Sequence, residues 1–255
     1  MYVDYNNFIS LGYFCEVAQD LEKLGLRSFS SPFDWGISNF PCVIKAIANR
    51  FDGFLEYRNL LQSDKFRSHY FDDQYCFFSF HDFSAYTPLD KQYQSVHEKY
   101  MRRINSFLSA IESPTLFFRY VSSEIINSDN KSIELLWIEE NYSYILETLK
   151  SYNNLNNIIF IGDEMIQSDS LKIYHVSRDI NDTVSRSPII SNAELLDILS
   201  DFDYPQREAN LEHYLVKEAK KNRYTSRINK DLKWRLQSIF LKEYIHSRVL
   251  HEEDE

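Results

Sequence analysis

The residue best placed to do chemistry in this sequence is Cys15, which ends the segment Ser10-Leu-Gly-Tyr-Phe-Cys15. The segment Phe8–Leu11 predicts a short strand, and the apolar spacing after Cys15 predicts a helix that stops at Gly25. At the start of a helix, unpaired N–H groups and the helix dipole favour a thiolate and lower its pKa. The same N–H groups could stabilise an oxyanion, so the segment predicts a cysteine nucleophile. The alternative is that Cys15 is a small buried hydrophobe.

A thiolate nucleophile needs a base, and the sequence offers seven histidines. His81 is the leading candidate because it ends a predicted apolar strand, Tyr75–His81, and is expected to emerge at the edge of the sheet. His175 lies near another predicted strand end and is the second candidate. The alternative for either histidine is a structural role, with its ring nitrogens satisfied inside the protein.

A third group is expected to orient the imidazole of the base. Asp34 is the predicted group, because two aromatic residues hold it in the turn Pro32-Phe-Asp-Trp35. Its alternative role is to cap neighbouring backbone N–H groups. Asp82 is adjacent to His81 and is expected to point the other way, while Asp163, which ends another predicted strand, is a further candidate.

Two arginines lie in otherwise apolar surroundings. Arg119 interrupts the apolar run Leu116–Val121, and because a buried arginine must be paired, it either holds a structural carboxylate or faces an anionic substrate. Arg27 poses the same choice, and there we favour structural pairing. The residues predicted to contact the substrate are Gly12, Tyr13, Trp35 and Arg119.

Along the chain, near-continuous apolar strands alternate with helices, which is typical of parallel βαβ units with right-handed crossovers. We predict an α/β fold: an open, mostly parallel sheet with helices on both faces in three layers, followed by a helical C-terminal extension. Residues 1–180 are predicted to form the catalytic domain. Residues 181–255 are predicted to form a helical segment that packs on it and ends in an acidic tail.

The composition excludes several classes of protein. The net charge of −10 argues against a general nucleic-acid binder. Window 217–235 instead carries eight basic and two acidic residues, which predicts either a solvated face or a patch for an anionic ligand or membrane surface. The three cysteines lack the spacing of a disulfide framework or a zinc site. Without a signal peptide or a membrane-spanning run, we expect a cytoplasmic protein.

Five runs of the sequence form a specific pattern: Ser10-Leu-Gly-Tyr-Phe-Cys15, Leu21-Glu-Lys-Leu-Gly-Leu-Arg27, Ser31-Pro-Phe-Asp-Trp35, Phe80-His-Asp-Phe83 and Leu116-Phe-Phe-Arg119. This pattern resembles the bacterial and viral family catalogued as "putative papain-like cysteine peptidases". The resemblance covers about residues 8–120 and implies that Cys15 is the nucleophile and His81 its partner. Members of that family are often associated with surface-polysaccharide biosynthesis. The start of the chain is similar, more weakly, to capsule-biosynthesis acetyltransferases, which implies acyl transfer to a sugar with a coenzyme A thioester as candidate donor.

The predicted function is therefore acyl transfer or hydrolysis through a thioester on Cys15, acting on a small-molecule or carbohydrate substrate without a metal or a required cofactor. One alternative is a nucleotide-sugar or phosphate-dependent transferase with a structural Cys15, because helix N-termini also bind phosphate. Another is a non-catalytic glycan-binding module that uses the aromatic stretch Tyr70–Tyr86. The sequence carries no prediction of the oligomeric state.

Overall fold

The computed structural model describes residues 4–64, 66–177, 187–200 and 202–222, and it contains helices and strands in alternation. In this part of the chain the helices are α1 (Cys15–Lys23), α2 (Phe40–Ala48), α3 (Leu89–Ala110), α4 (Ile133–Lys150), α5 (Ala193–Ser200) and α6 (Arg207–Asn222). The strands are β1 (Asn7–Ser10), β2 (Gly36–Ser38), β3 (Leu60–Gln62), β4 (Tyr70–Asp72), β5 (Phe77–Ser79), β6 (Thr115–Tyr120), β7 (Asn157–Gly162) and β8 (Ile173–His175).

Four strands form a parallel sheet in the order β1-β6-β7-β8. The register places Phe8 beside Leu116 and Phe118 beside Ile159. Every residue of β6 is buried, as expected for a central strand that is covered on both faces. The predicted α/β fold with its parallel sheet is confirmed.

Helices cover both faces of this sheet, and alternate side chains of β6 show it. The ring of Phe117 lies 6.2 Å from Phe107 of α3, on the face that also packs against α2 and α4. Tyr120, three residues further along β6 and on the opposite face, packs its ring edge-on against Phe14, which precedes α1, at 5.5 Å. The two sets of buried residues lie on opposite sides of one sheet, which gives the predicted three layers.

A second, antiparallel sheet in the order β2-β5-β4-β3 was not predicted. Each of its strands is three residues long, too short to show the alternation by which a strand is recognised. Only β5 coincides with a predicted strand, and it ends at Ser79 rather than at His81. His81 therefore lies two residues beyond the sheet.

A buried arginine joins the two sheets and α4. Arg119 of β6 is fully buried, and its Nε and Nη2 donate to the carboxylate of Glu134 at 2.7 and 2.9 Å. Nη1 donates to the Leu11 carbonyl at 2.7 Å and to Ser38 Oγ at 2.8 Å, and Nη2 donates to the Ser38 carbonyl at 2.9 Å. These bonds use all five N–H donors of the guanidinium. Arg119 thus holds a structural carboxylate, and the prediction that it contacts a substrate is wrong.

The turn between β1 and α1 fits closely against this arginine. Gly12 adopts a φ of +86°, and a Cβ placed on it would lie 2.8 Å from Arg119 Nη1 and 2.3 Å from Ser38 Oγ. Both the backbone conformation and the lack of space therefore require glycine at this position. Gly25, with a φ of +70°, follows the last turn of α1 as predicted.

The C-terminal part of the described chain contacts α1. Lys217 of α6 lies 2.8 Å from Glu22, and the side chain of Asn210 donates to the Gly25 carbonyl at 3.0 Å. The predicted domain boundary at residue 180, residues 223–235 of the basic window and the acidic tail lie outside the described residues. No helix in the described part of the chain is both long enough and apolar enough to cross a membrane.

The Arg119 network predicts a large stability effect from one substitution. Arg119→Met removes the guanidinium that donates to the Glu134 carboxylate and to the Leu11 and Ser38 carbonyls, which is expected to lower the free energy of unfolding by about 3–5 kcal/mol. Urea denaturation measures this loss. The matched control is Lys172→Met, which breaks an exposed ion pair with Glu194 and is expected to cost about 0–1 kcal/mol. Equal, small losses in both variants would contradict the structural role of Arg119.

Candidate active site

Cys15 and His81 line the same cleft, although 66 positions separate them in the sequence. Cys15 reaches the cleft from the start of α1, and His81 reaches it from the segment after β5. The walls of the cleft are mostly apolar. Its lining residues are Phe14, Cys15, Trp35, Gly36, Ile37, Phe80 and His81. The structure therefore brings together the nucleophile and the base that the sequence predicts.

Cys15 is the first residue of α1 and is only 5% exposed. The preceding residue, Phe14, has an extended backbone, and its side chain forms no capping hydrogen bond to the helix. The first-turn N–H groups of α1 thus lie beside the thiol without an N-cap side chain to satisfy them. This is the strand, turn and helix arrangement predicted from the sequence.

The electrostatic environment of the thiol differs from the prediction. Burial, followed by the negative charges of Glu16 and Asp34, raises the pKa of the Cys15 thiol to about 12. A hydrogen bond from Gln19 and the backbone N–H of Cys15 itself favour the thiolate, but they do not compensate. The sequence predicts that the helix start lowers this pKa; burial, the largest contribution, raises it instead.

His81 is exposed, and its ring centroid lies 6.2 Å from that of the buried Phe80. His175, the second candidate base, is also exposed, but it does not line the cleft. Its Nδ1 lies 3.3 Å from the main-chain oxygen of Asp163, at the far side of the parallel sheet. Of these two histidines, only His81 shares the cleft with Cys15.

Asp34 forms an internal ion pair instead of contacting the imidazole. Its Oδ2 accepts hydrogen bonds from Arg27 Nε at 2.9 Å and from the Ser31 N–H at 2.9 Å, and it lies 2.8 Å from Arg27 Nη2. Its Oδ1 is buried and forms no hydrogen bond with any described residue. Asp34 has the capping role that the sequence left open, Arg27 has the structural pairing that we favoured, and no hydrogen bond joins Asp34 to His81.

The predicted substrate contacts divide into one that lines the cleft and three that do not. Gly12 uses both backbone groups internally, donating to Ser10 Oγ and accepting from the Tyr120 N–H. Tyr13 is buried, and its hydroxyl donates to Glu124. Together with Arg119, these two residues are therefore corrected to structural roles.

Trp35 does line the cleft, and two cations flank its ring. The Arg27 guanidinium lies 5.2 Å from the ring centroid, and the Lys217 ammonium of α6 lies 5.9 Å from it.

Sequence reasoning missed the apolar walls formed by Phe14, Ile37 and Phe80. Adjacency to Cys15 and His81 could have indicated Phe14 and Phe80, whereas Ile37 belongs to a strand too short to predict.

Comparison with known proteins gives a family and one curated relative. An uncharacterized protein of Acanthamoeba polyphaga mimivirus, R408, is 48% identical over 54 residues. That match covers 21% of this chain and 24% of the viral protein, so the chain matches about a quarter of its relative's length. No solved structure is significantly similar to the chain. The family supports, at a coarse level, a cysteine-dependent hydrolase. Its model matches residues 6–144, which are more than half of the chain. The chain therefore belongs to the family described as "putative papain-like cysteine peptidase".

Proposed function

We propose that this protein cleaves acyl substrates through a thioester on Cys15, with His81 as the general base. The observation that carries the proposal is that both side chains line one small cleft at the start of α1. A nucleophile and a base that share a cleft are the minimum for covalent acyl chemistry. The family supports the coarser statement, a cysteine-dependent hydrolase.

The raised pKa of Cys15 determines how the thiol must react. With a pKa of about 12, the thiol is protonated in the resting protein at neutral pH. His81 therefore accepts the proton as Sγ attacks the carbonyl carbon, rather than stabilising a preformed thiolate. The carbonyl oxygen becomes an oxyanion, and the N–H groups of the first turn of α1 are the donors available to it.

The intermediate then collapses to a thioester. The leaving group departs with the proton that the His81 imidazolium returns. A second nucleophile, activated by loss of its proton to the same imidazole, attacks the thioester and releases Cys15 as a thiol. If that nucleophile is water, the overall reaction is hydrolysis; if it is a hydroxyl group, the reaction is acyl transfer.

Acyl transfer, as opposed to hydrolysis, is the more specific part of the proposal. In it, a coenzyme A thioester donates the acyl group and a carbohydrate hydroxyl in surface-polysaccharide biosynthesis accepts it. The sequence resemblance to capsule acetyltransferases supports this branch, and the family supports hydrolysis. The two branches share every residue proposed above and differ only in the acceptor.

Substitution of the two proposed catalytic residues tests the proposal. With p-nitrophenyl acetate and acetyl-coenzyme A as probes, Cys15→Ala is expected to abolish turnover. His81→Ala is expected to lower kcat by about 100- to 10,000-fold because it removes the base. Product release, followed by absorbance, measures both effects. Cys42→Ala and Cys76→Ala are the matched cysteine controls and are expected to stay within about twofold of wild type, because neither side chain lines the cleft.

A single result would contradict this assignment of the nucleophile. If Cys15→Ala folds, as judged by circular dichroism, and still turns over either probe at the wild-type rate, Cys15 is structural. Acetyl transfer to added sugars, compared with release of acetate in water, separates the two branches.

The pKa of the thiol predicts the labelling pattern of the cysteines. At pH 7.5, iodoacetamide is expected to alkylate Cys15 more slowly than the half-buried Cys42 and Cys76, because the thiolate is the reactive form. Glu16→Gln removes one of the charges that raise the pKa. It is expected to speed Cys15 alkylation by about threefold, because it lowers the pKa of the thiol.

Peptide mass spectrometry after timed quenching measures these rates. Glu98→Gln, an exposed charge on α3, is the control and is expected to leave the rate at Cys15 unchanged. Rapid labelling of Cys15 at neutral pH, ahead of the other two cysteines, would contradict the protonated resting thiol.

A further inference from the structure

The residue that follows His81 is anchored to a different element of the fold. The Asp82 side chain is 3% exposed and accepts hydrogen bonds from Ser79 Oγ at 3.1 Å and from Tyr100 OH at 2.6 Å. Lys99 Nζ lies 2.6 Å from the same carboxylate, and Arg103 Nη1 lies 3.7 Å from it. Three of these four partners belong to α3, so Asp82 ties the segment after β5 to that helix.

This anchor stays charged across the pH range in which proteins work. Burial alone would raise the pKa of the Asp82 carboxyl, but hydrogen bonds from Lys99 and Tyr100 and the charge of Arg103 outweigh burial and lower it. A carboxylate held by two cations and two hydroxyl groups forms charge-assisted bonds, which are stronger than neutral ones. These contacts therefore hold Asp82 firmly on α3.

Buried side chains flank the exposed His81 on both sides. Phe80 is 8% exposed, and its ring centroid lies 4.6 Å from that of Phe78. Phe83 is 5% exposed and packs on Tyr70 at 4.3 Å. With Phe80, Asp82 and Phe83 all directed into the protein, the backbone leaves the His81 ring at the surface, where it lines the cleft.

The segment beyond His81 is also fixed by hydrogen bonds. The Gln92 side chain of α3 accepts from the Ser84 N–H at 2.7 Å and donates to the Ser84 carbonyl at 3.1 Å. The same amide donates to the Thr87 carbonyl. Segment 80–87 is thus attached to α3 at two places, through Asp82 and through Gln92, and Asp82 is the attachment next to His81.

From these contacts we infer that Asp82 is a positioning residue, which holds segment 80–84 on α3 so that the His81 imidazole faces Cys15 across the cleft. This inference rests on the proposed function, because it gives Asp82 a role in the proton transfer by His81. Asp82 does not line the cleft and touches no reacting atom. It acts only through the geometry of its neighbour.

Hydrogen exchange tests the anchor without any need for activity. Asp82→Asn is expected to raise amide exchange within segment 80–84 by about tenfold or more, because the amide cannot accept all three hydrogen bonds that Ser79, Lys99 and Tyr100 donate to the carboxylate. The matched control is Asp72→Asn in the same sheet. Asp72 is also buried, but it binds the backbone N–H groups of Leu55, Gln74 and Tyr75. Its substitution is expected to raise exchange near those residues and to leave segment 80–84 unchanged.

Single-turnover kinetics with p-nitrophenyl acetate test the positioning role. Asp82→Asn is expected to lower the acylation rate constant by about 10- to 100-fold at full burst amplitude, with KM within about twofold of wild type. If the substitution only destabilised the fold, fewer molecules would react, so the burst amplitude would fall while the acylation rate constant stayed unchanged. Asp72→Asn is expected to show that second pattern. Tyr100→Phe, which removes one hydroxyl from the anchor, gives a milder variant if Asp82→Asn fails to fold, and its rate constant is expected to fall several-fold.

The outcomes separate the inference from the proposed function. Unchanged exchange in segment 80–84 of a folded Asp82→Asn or Tyr100→Phe protein overturns the anchor, whatever the activity. Raised exchange with a wild-type rate constant overturns the positioning role alone. Absence of turnover in the wild-type protein overturns the proposed function, and the positioning role with it.

Discussion

The whole arrangement depends on the buried guanidinium of Arg119. A charged group without water must have each of its donors satisfied, and here five hydrogen bonds reach three separate parts of the fold. These bonds hold Glu134 of α4, Ser38 at the end of β2 and the Leu11 carbonyl just after β1. Gly12 packs directly on this guanidinium, so the turn that leads into α1 is held in place against Arg119. The place of Cys15 therefore depends on an ionic contact outside the cleft.

The cleft exists because two sheets meet at this point. Cys15 is carried by the element that follows the parallel sheet, whereas His81 follows a strand of the antiparallel sheet. Where the two sheets meet, the thiol lies in apolar surroundings. The relative sizes of two effects on its pKa, the helix dipole and burial, then decide whether it is protonated. A helix dipole contributes up to about 2 kcal/mol at a partly buried group, which is about 1.5 pKa units, while burial can shift a pKa by about 3–5 units. In the proposed mechanism the resting thiol is therefore neutral, and His81, which lines the same cleft, accepts its proton during attack.

Much of this fold could be predicted from local patterns. The turn at Gly12, the helix from Cys15 and the parallel strands have sequence signals that depend on neighbouring residues alone. The antiparallel sheet could not be predicted, because strands of three residues show no period. Tyr13 and Arg119 were given substrate contacts because they lie near Cys15 in sequence or stand out in an apolar run. Only the packed structure shows that their polar groups are already bonded within the protein.

The segment around His81 also combines one feature that the sequence predicts with another that it does not. That Asp82 points away from its neighbour follows from the alternation of adjacent side chains, and the structure agrees. What it points toward could not be predicted, because Lys99, Tyr100 and Arg103 become its partners only when α3 packs beside β5. Long-range ion pairs of this kind leave no local signal. They nevertheless hold the segment that carries His81 against α3.

The central claim is that Cys15 carries the acyl group during turnover, and mass spectrometry of the protein quenched in acid during reaction with an activated ester tests it most directly. The account predicts that the acyl mass appears on the peptide that contains Cys15 and is lost as turnover ends. Continued product formation with no acyl group on that peptide, or with the label only on Cys42 or Cys76, would contradict it.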